Sequence, residues 1–160
     1  MIREKFNEII YKIFEKTLSF YKDNLISFVV FGSCGRETPN NESDIDLLII
    51  LNNTPRGRIN RNLEFYKNVE ILLEDELKNL RKFGIDTYIS PIIKTKEEVF
   101  YGSPIFLEMT EKVKIIFDKD EFFKNYLKEL KKKMIKYGTK KIKDYWIYKE
   151  KVDKEEVVDF

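Results

Sequence analysis

Gly32-Ser33, ten intervening residues, then Asp44-Ile45-Asp46 is the part of this chain able to do chemistry. Two carboxylates separated by one residue on a strand point to the same face, because side chains alternate with a period of two. Both can then reach one hard divalent cation, and Mg²⁺ is usually held by one or two carboxylates together with substrate phosphates. Gly32-Ser33 ends an earlier apolar run, Ile26 to Phe31. Bare N–H groups and a hydroxyl at such a bend can receive phosphate oxygens. The two pieces together predict a nucleoside triphosphate site, with a cradle for phosphates beside a clamp for metal.

The elements that must position these groups follow from periodicity. Phe6, Ile9, Ile10, Ile13, Phe14 and Thr17 mark one face of a helix over 3–23. Strands are predicted at about 25–31 and 44–51, with a short helical turn opening at Gly32 and loop chemistry at Thr38-Pro39-Asn40-Asn41. A long helix over about 57–82 stops at Gly84. A third strand follows over 85–93, and its Pro91 calls for an edge or bulged position. Thr95 and Glu98 have capping-box spacing, and Ser103-Pro104 starts another short helix. Lys112–Phe117 reads as a fourth strand, and Phe123 to Tyr137 as a last helix before Gly138. The expected class is α/β (α+β): a mixed sheet of about four strands with helices packed on it. Residues 1–160 fit one domain by length, with 119–160 a basic helix and tail.

Gly32, Ser33, Asp44 and Asp46 resemble the signature of the minimal nucleotidyltransferase (MNT) branch of the DNA polymerase beta nucleotidyltransferase superfamily. Arg36 and the Ser43-Asp-Ile-Asp-Leu47 context extend the likeness. Further segments, Ile89-Ser-Pro-Ile-Ile93, Gly102-Ser-Pro-Ile-Phe106, Ile115-Ile-Phe-Asp118 and Tyr145-Trp146, are similar to prokaryotic stand-alone proteins of this kind. The resemblance implies a polymerase-beta-like sheet and transfer of NMP, AMP from ATP above all, to an acceptor. It implies Asp44 and Asp46 as ligands of two Mg²⁺ ions, and Gly32, Ser33 and Arg36 as nucleotide-binding. Arg36 could brace the triphosphate with its planar fork of donors, or pair with Glu37 or Glu42. Ser33 could equally serve as a helix N-cap.

Active members of the superfamily carry a third carboxylate on the neighbouring strand. Asp86 is the acid of the predicted third strand, and is read either as catalytic base or as a solvated strand end. Alignment by the strand's exit puts Ser90 nearer that position, with Asp86 about 13 Å away at ~3.3 Å per residue. MNT proteins often work beside a HEPN-domain partner in toxin–antitoxin pairs, so such a partner is implied here. Its alternative is a nucleotide-binding module that neutralises a partner stoichiometrically. Small-molecule modification fits less well, because it usually needs a second acceptor-binding domain.

Bulk properties narrow the field. The chain has 30 basic and 28 acidic residues, so nothing general favours nucleic acid. Twelve lysines against five acids over Lys119–Lys151 could attract RNA or an acidic partner, and a solvated amphipathic face is the preferred reading. Tyr145, Trp146 and Tyr148 are read as core-closing rather than base-stacking. Val152–Phe160 is read as docking on the sheet or on a second copy, which would give a homodimer. Without histidine there is no imidazole metal site and no Ser-His or Cys-His pair. Cys34 is the only cysteine and is read as a bystander in a reducing cytoplasm. No run approaches the ~18 apolar residues of a membrane span.

Overall fold

The computed structural model describes residues 1–138 in full and 140–142 and 145–147 as backbone. The readings placed on Tyr148, on the Val152–Phe160 tail and on the side chains of Tyr145 and Trp146 lie outside the described residues.

Two strands whose sequences are nearly continuous apolar runs take the centre of the sheet. β1 (Leu25–Phe31) and β2 (Ile45–Leu51) are buried along almost their whole length, as strands covered on both faces must be. They pair antiparallel, and Phe31 lies opposite Asp46. β3 (Ile89–Thr95) runs parallel to β2, and β4 (Lys114–Asp118) antiparallel to β1, giving the order β3-β2-β1-β4. The expected mixed four-stranded sheet is therefore present. Alternation along β2 splits the core in two. Ile45, Leu47, Ile49 and Leu51 pack with α1 (Ile2–Tyr21), α3 (Arg58–Asn68) and α4 (Glu74–Lys82). Leu48 and Ile50 pack with α6 (Pro104–Met109) and α7 (Phe122–Lys136). Asp44 and Asp46 share the parity of Leu48 and Ile50, and so belong to that second face.

Two sequence expectations are corrected. The long helix over 57–82 is two helices, broken by the 3₁₀ turn Glu70–Leu73, with Val69 at φ −128° and ψ −62°. Phe65, Val69 and Leu73 are all buried, so the apolar spacing continues across the break and does not mark it. The third strand begins at Ile89 rather than 85, because Ile85 and Asp86 send their backbone N–H groups to carbonyls outside β2, and the chain first meets β2 at the Tyr88 carbonyl. Asp86 N–H donates to the Asn41 carbonyl (2.9 Å) and Ile45 N–H to the Tyr88 carbonyl (2.8 Å). Lys140–Ile142 and Tyr145–Ile147 pair antiparallel as a separate two-stranded sheet.

β3 is an edge strand, as Pro91 requires. Its far half is closed by Arg61, whose Nη1 donates to the Ile93 carbonyl (3.0 Å) and to Glu98 Oε1 (2.8 Å) while Nε donates to the Pro55 carbonyl (2.6 Å). Glu98 also receives the Thr95 N–H and completes the capping box of α5 (Lys96–Val99). Burial works against its charge, yet Arg61 and Thr95 hold the Glu98 carboxyl below the ordinary range. Arg61→Met should lower unfolding stability by about 2 kcal/mol, since it strands a half-buried carboxylate and two carbonyls. Urea denaturation checks this, and adding Glu98→Gln should recover part of the loss.

Candidate active site

The site is the corner of the second sheet face that α6 and α7 leave uncovered. Asp44 is exposed just before β2, and Asp46 is half-buried within it. The β1–β2 register places Phe31 opposite Asp46, so the chain leaves β1 beside that carboxylate. Gly32 there has φ +64°, and a β-carbon on it would lie 2.2 Å from Asp46 Oδ2. Only glycine allows both the left-handed backbone and the close approach. The acidic clamp at Asp44 and the small-residue bend at Gly32, well separated along the chain, are one site.

The bend is the single helical turn α2 (Gly32–Gly35). Arg36 N–H closes on the Gly32 carbonyl (3.0 Å) and Thr38 N–H on the Ser33 carbonyl (2.9 Å). Buried Cys34 turns inward, and its thiol donates to the Asp44 carbonyl at 3.5 Å. Burial first, then the Asp46 carboxylate, push that thiol up to about 11, against the opposing Ser33 hydroxyl and Lys114 ammonium. Cys34 is thus a protonated brace between the two halves of the motif. Gly35 packs so closely on β1 that a β-carbon would fall 2.4 Å from the Val30 carbonyl oxygen.

The loop into β2 is held by polar groups the sequence reading passed over. Ser43 Oγ accepts from Asn40 N–H (2.9 Å), and Thr87 Oγ1 donates to the Ser43 carbonyl (2.6 Å). The Asn40-to-Ser43 spacing is a local turn pattern and could have been noticed. Thr87 could not, since its partner is distant in sequence. Lys114 was likewise missed. Its ammonium reaches Glu37 (3.4 Å) and Asn7 (2.9 Å) behind the bend, and only strand pairing brings it there.

The two carboxylates lie close enough to feel each other's charge. Burial and the neighbouring Asp44 charge raise the proton affinity of Asp46, while Arg36 opposes them. Two hard-oxygen donors that repel each other, with a glycine cradle beside them, fit Mg²⁺ by donor chemistry. Glu37, one of the two acids that could have paired with Arg36, is taken by Lys114 instead.

Asp86 is not brought to the pair by the sheet. It lies three residues before β3, exposed, with its carboxylate 3.8 Å from Arg81. The β3 residue opposite Asp46 is Ser90. Among the described residues, no third acidic, cysteine or histidine side chain joins Asp44 and Asp46 in a metal-holding group. Of the two readings of Asp86, its place before β3 fits the solvated strand end, and the register puts Ser90, as alignment by the strand's exit suggested, opposite Asp46.

A mixed sheet that brings a glycine-serine bend onto an Asp-x-Asp strand defines a nucleotidyltransferase. Residues 10–159 match the family model of the nucleotidyltransferase domain, and the chain belongs to that family. It is 34% identical over 153 residues, 94% of this chain and 95% of its counterpart, to "Putative protein adenylyltransferase MJ1305" of Methanocaldococcus jannaschii. Among solved structures it is similar to a toxin–antitoxin crystallised with AMP-PNP (TM-score 0.46, 18% identity, 78% of this chain and 88% of that one). It is also similar to a point mutant of the toxin–antitoxin MntA-HpeT (TM-score 0.42, 17% identity, 80% and 86%). Among the described residues, no helix is long and apolar enough to cross a membrane.

Proposed function

We propose that this nucleotidyltransferase moves AMP from ATP to a hydroxyl group on a protein. The reading is carried by the approach of Gly32 to Asp46, which joins a glycine-serine bend to a pair of carboxylates. The choice of a protein acceptor rests on the name borne by the M. jannaschii relative.

In this reading Asp44 and Asp46 hold Mg²⁺, two ions being the usual number for such chemistry. The bound metal would supply charge neutralisation for the triphosphate. Ser33 donates its hydroxyl to a phosphate oxygen, and Gly32 lets the backbone approach. Arg36, whose charge is felt at Asp46, offers a second set of donors on the solvent side. The acceptor oxygen attacks the α-phosphorus, pyrophosphate leaves, and the acceptor proton passes to water at the open face. Asp86, held toward Arg81, takes no part. Positioning and charge supply most of the catalysis in phosphoryl chemistry of this kind.

The test uses ATP labelled at either the α- or the γ-phosphate, with Mg²⁺ and an extract of protein acceptors. Only the α label should become protein-bound, and EDTA should abolish it. Transfer of the γ label would overturn the reading. A second reading, nucleotide binding and partner neutralisation without transfer, is favoured by the lack, among the described residues, of a third acid beside the pair. It predicts Mg-ATP binding with no label on any protein. The MNT resemblance makes a separate HEPN-type toxin the first acceptor to try, by co-purification and labelling.

A further inference from the structure

We propose that Ser90 is a site of self-adenylylation, an inference that rests on the AMP-transfer reading above. Asp46 and Ser90 are direct partners in the parallel β2–β3 ladder. Paired residues of adjacent strands project to the same face from backbones about 4.8 Å apart. Asp46 faces Gly32 on that surface, so the Ser90 hydroxyl stands on the far side of Asp46 from the phosphate-binding bend. β3 is the sheet edge, and Ser90 is exposed. The Arg61–Glu98 cluster closes only the far half of that edge, at Ile93 and Thr95. The near half at Ser90 stays open.

This is the location of an acceptor. A hydroxyl fixed to the same scaffold as the nucleotide gains the advantage of an intramolecular reaction, worth many orders of magnitude in effective concentration. In the step, Ser90 Oγ forms a bond to the α-phosphorus of ATP, and the bond from that phosphorus to the bridging oxygen of pyrophosphate breaks. The hydroxyl proton goes to water. The product is a Ser90–O–AMP phosphodiester lying over the Asp44–Asp46 pair, so a modified chain can no longer seat Mg-ATP. Nothing is oxidised or reduced, and no reactant beyond ATP is needed.

The full-length chain, alone with Mg²⁺ and α-labelled ATP, should take up one AMP per molecule, mapped by peptide mass spectrometry to Ser90. The fraction modified with time should not change with protein concentration, as a reaction within one molecule requires. Ser90→Ala should abolish incorporation, Ser90→Thr should keep the hydroxyl and restore label, and Tyr88→Phe should label like the wild type. Calorimetry should show weaker Mg-ATP binding by the modified chain. Label on Tyr88 or elsewhere, undiminished label in Ser90→Ala, or a rate that rises with protein concentration would each overturn the assignment. A chain that adenylylates other proteins but never itself would refute this inference alone. A chain that neither binds Mg-ATP nor labels anything would refute the AMP-transfer reading as well.

Discussion

Asp46→Asn should lower AMP transfer about 10³-fold, and combining it with Asp44→Asn should leave no measurable activity. A bound metal supplies several kcal/mol of transition-state stabilisation, and each 1.36 kcal/mol is a factor of ten in rate. Asparagine keeps the shape of the side chain but not its charge, so the loss reports the cation seat rather than packing. Stability should move the other way. Burial and Asp44 raise the proton affinity of Asp46 in the folded chain. A carboxyl whose folded pKa lies above its unfolded value opposes folding once both states are ionised, and the penalty disappears as pH falls through the folded pKa. The Asp46→Asn variant should therefore unfold at a slightly higher temperature than the wild type at neutral pH. That advantage should vanish under acid. Mg²⁺ should raise the wild-type melting temperature and leave that of the double variant unchanged, because only the wild type has a seat for it. A variant that keeps wild-type transfer and the same response to Mg²⁺ would remove Asp46 from the mechanism.

Gly32→Ala should cost about 100-fold in transfer, with the fold retained. Two independent obstacles meet at this position. The backbone sits at φ +64°, and the added carbon would lie 2.2 Å from Asp46 Oδ2 and 3.2 Å from its Cγ. A non-glycine residue in that region costs about 1–3 kcal/mol. The steric overlap must also be relieved, by swinging the Asp46 carboxylate away or by lifting the bend from β2. Either movement separates the phosphate cradle from the cation seat. Calorimetry should show Mg-ATP affinity falling along with activity, while circular dichroism stays native. A Gly32→Ala variant with undiminished nucleotide affinity would mean that the bend does not hold the triphosphate.

Much of the site was readable from local pattern. Asp44 and Asp46 share a face because strands alternate, and the burial of Ile45 and Leu47 between and beyond them follows from the same rule. Pro91 announced an edge, and Thr95 with Glu98 announced a helix start; both depend on a few adjacent residues. Other features escaped because the chain holds no local record of them. Helical spacing through Phe65, Val69 and Leu73 is the same whether the helix continues or breaks. Lys114 and Thr87 matter through partners far away in sequence.

The choice between Asp86 and Ser90 shows the division most clearly. By itself, the sequence determined that a glycine-serine bend and two carboxylates exist, that each closes or opens a strand, and that both carboxylates share one face. Tertiary structure alone decided that the bend touches Asp46, through the pairing of Phe31 with it, and that Ser90 rather than Asp86 stands on its other side. The physical reason is that side-chain direction is fixed by the backbone geometry of a few residues. Register between strands is fixed by backbone hydrogen bonds and core packing, which form only when distant segments meet.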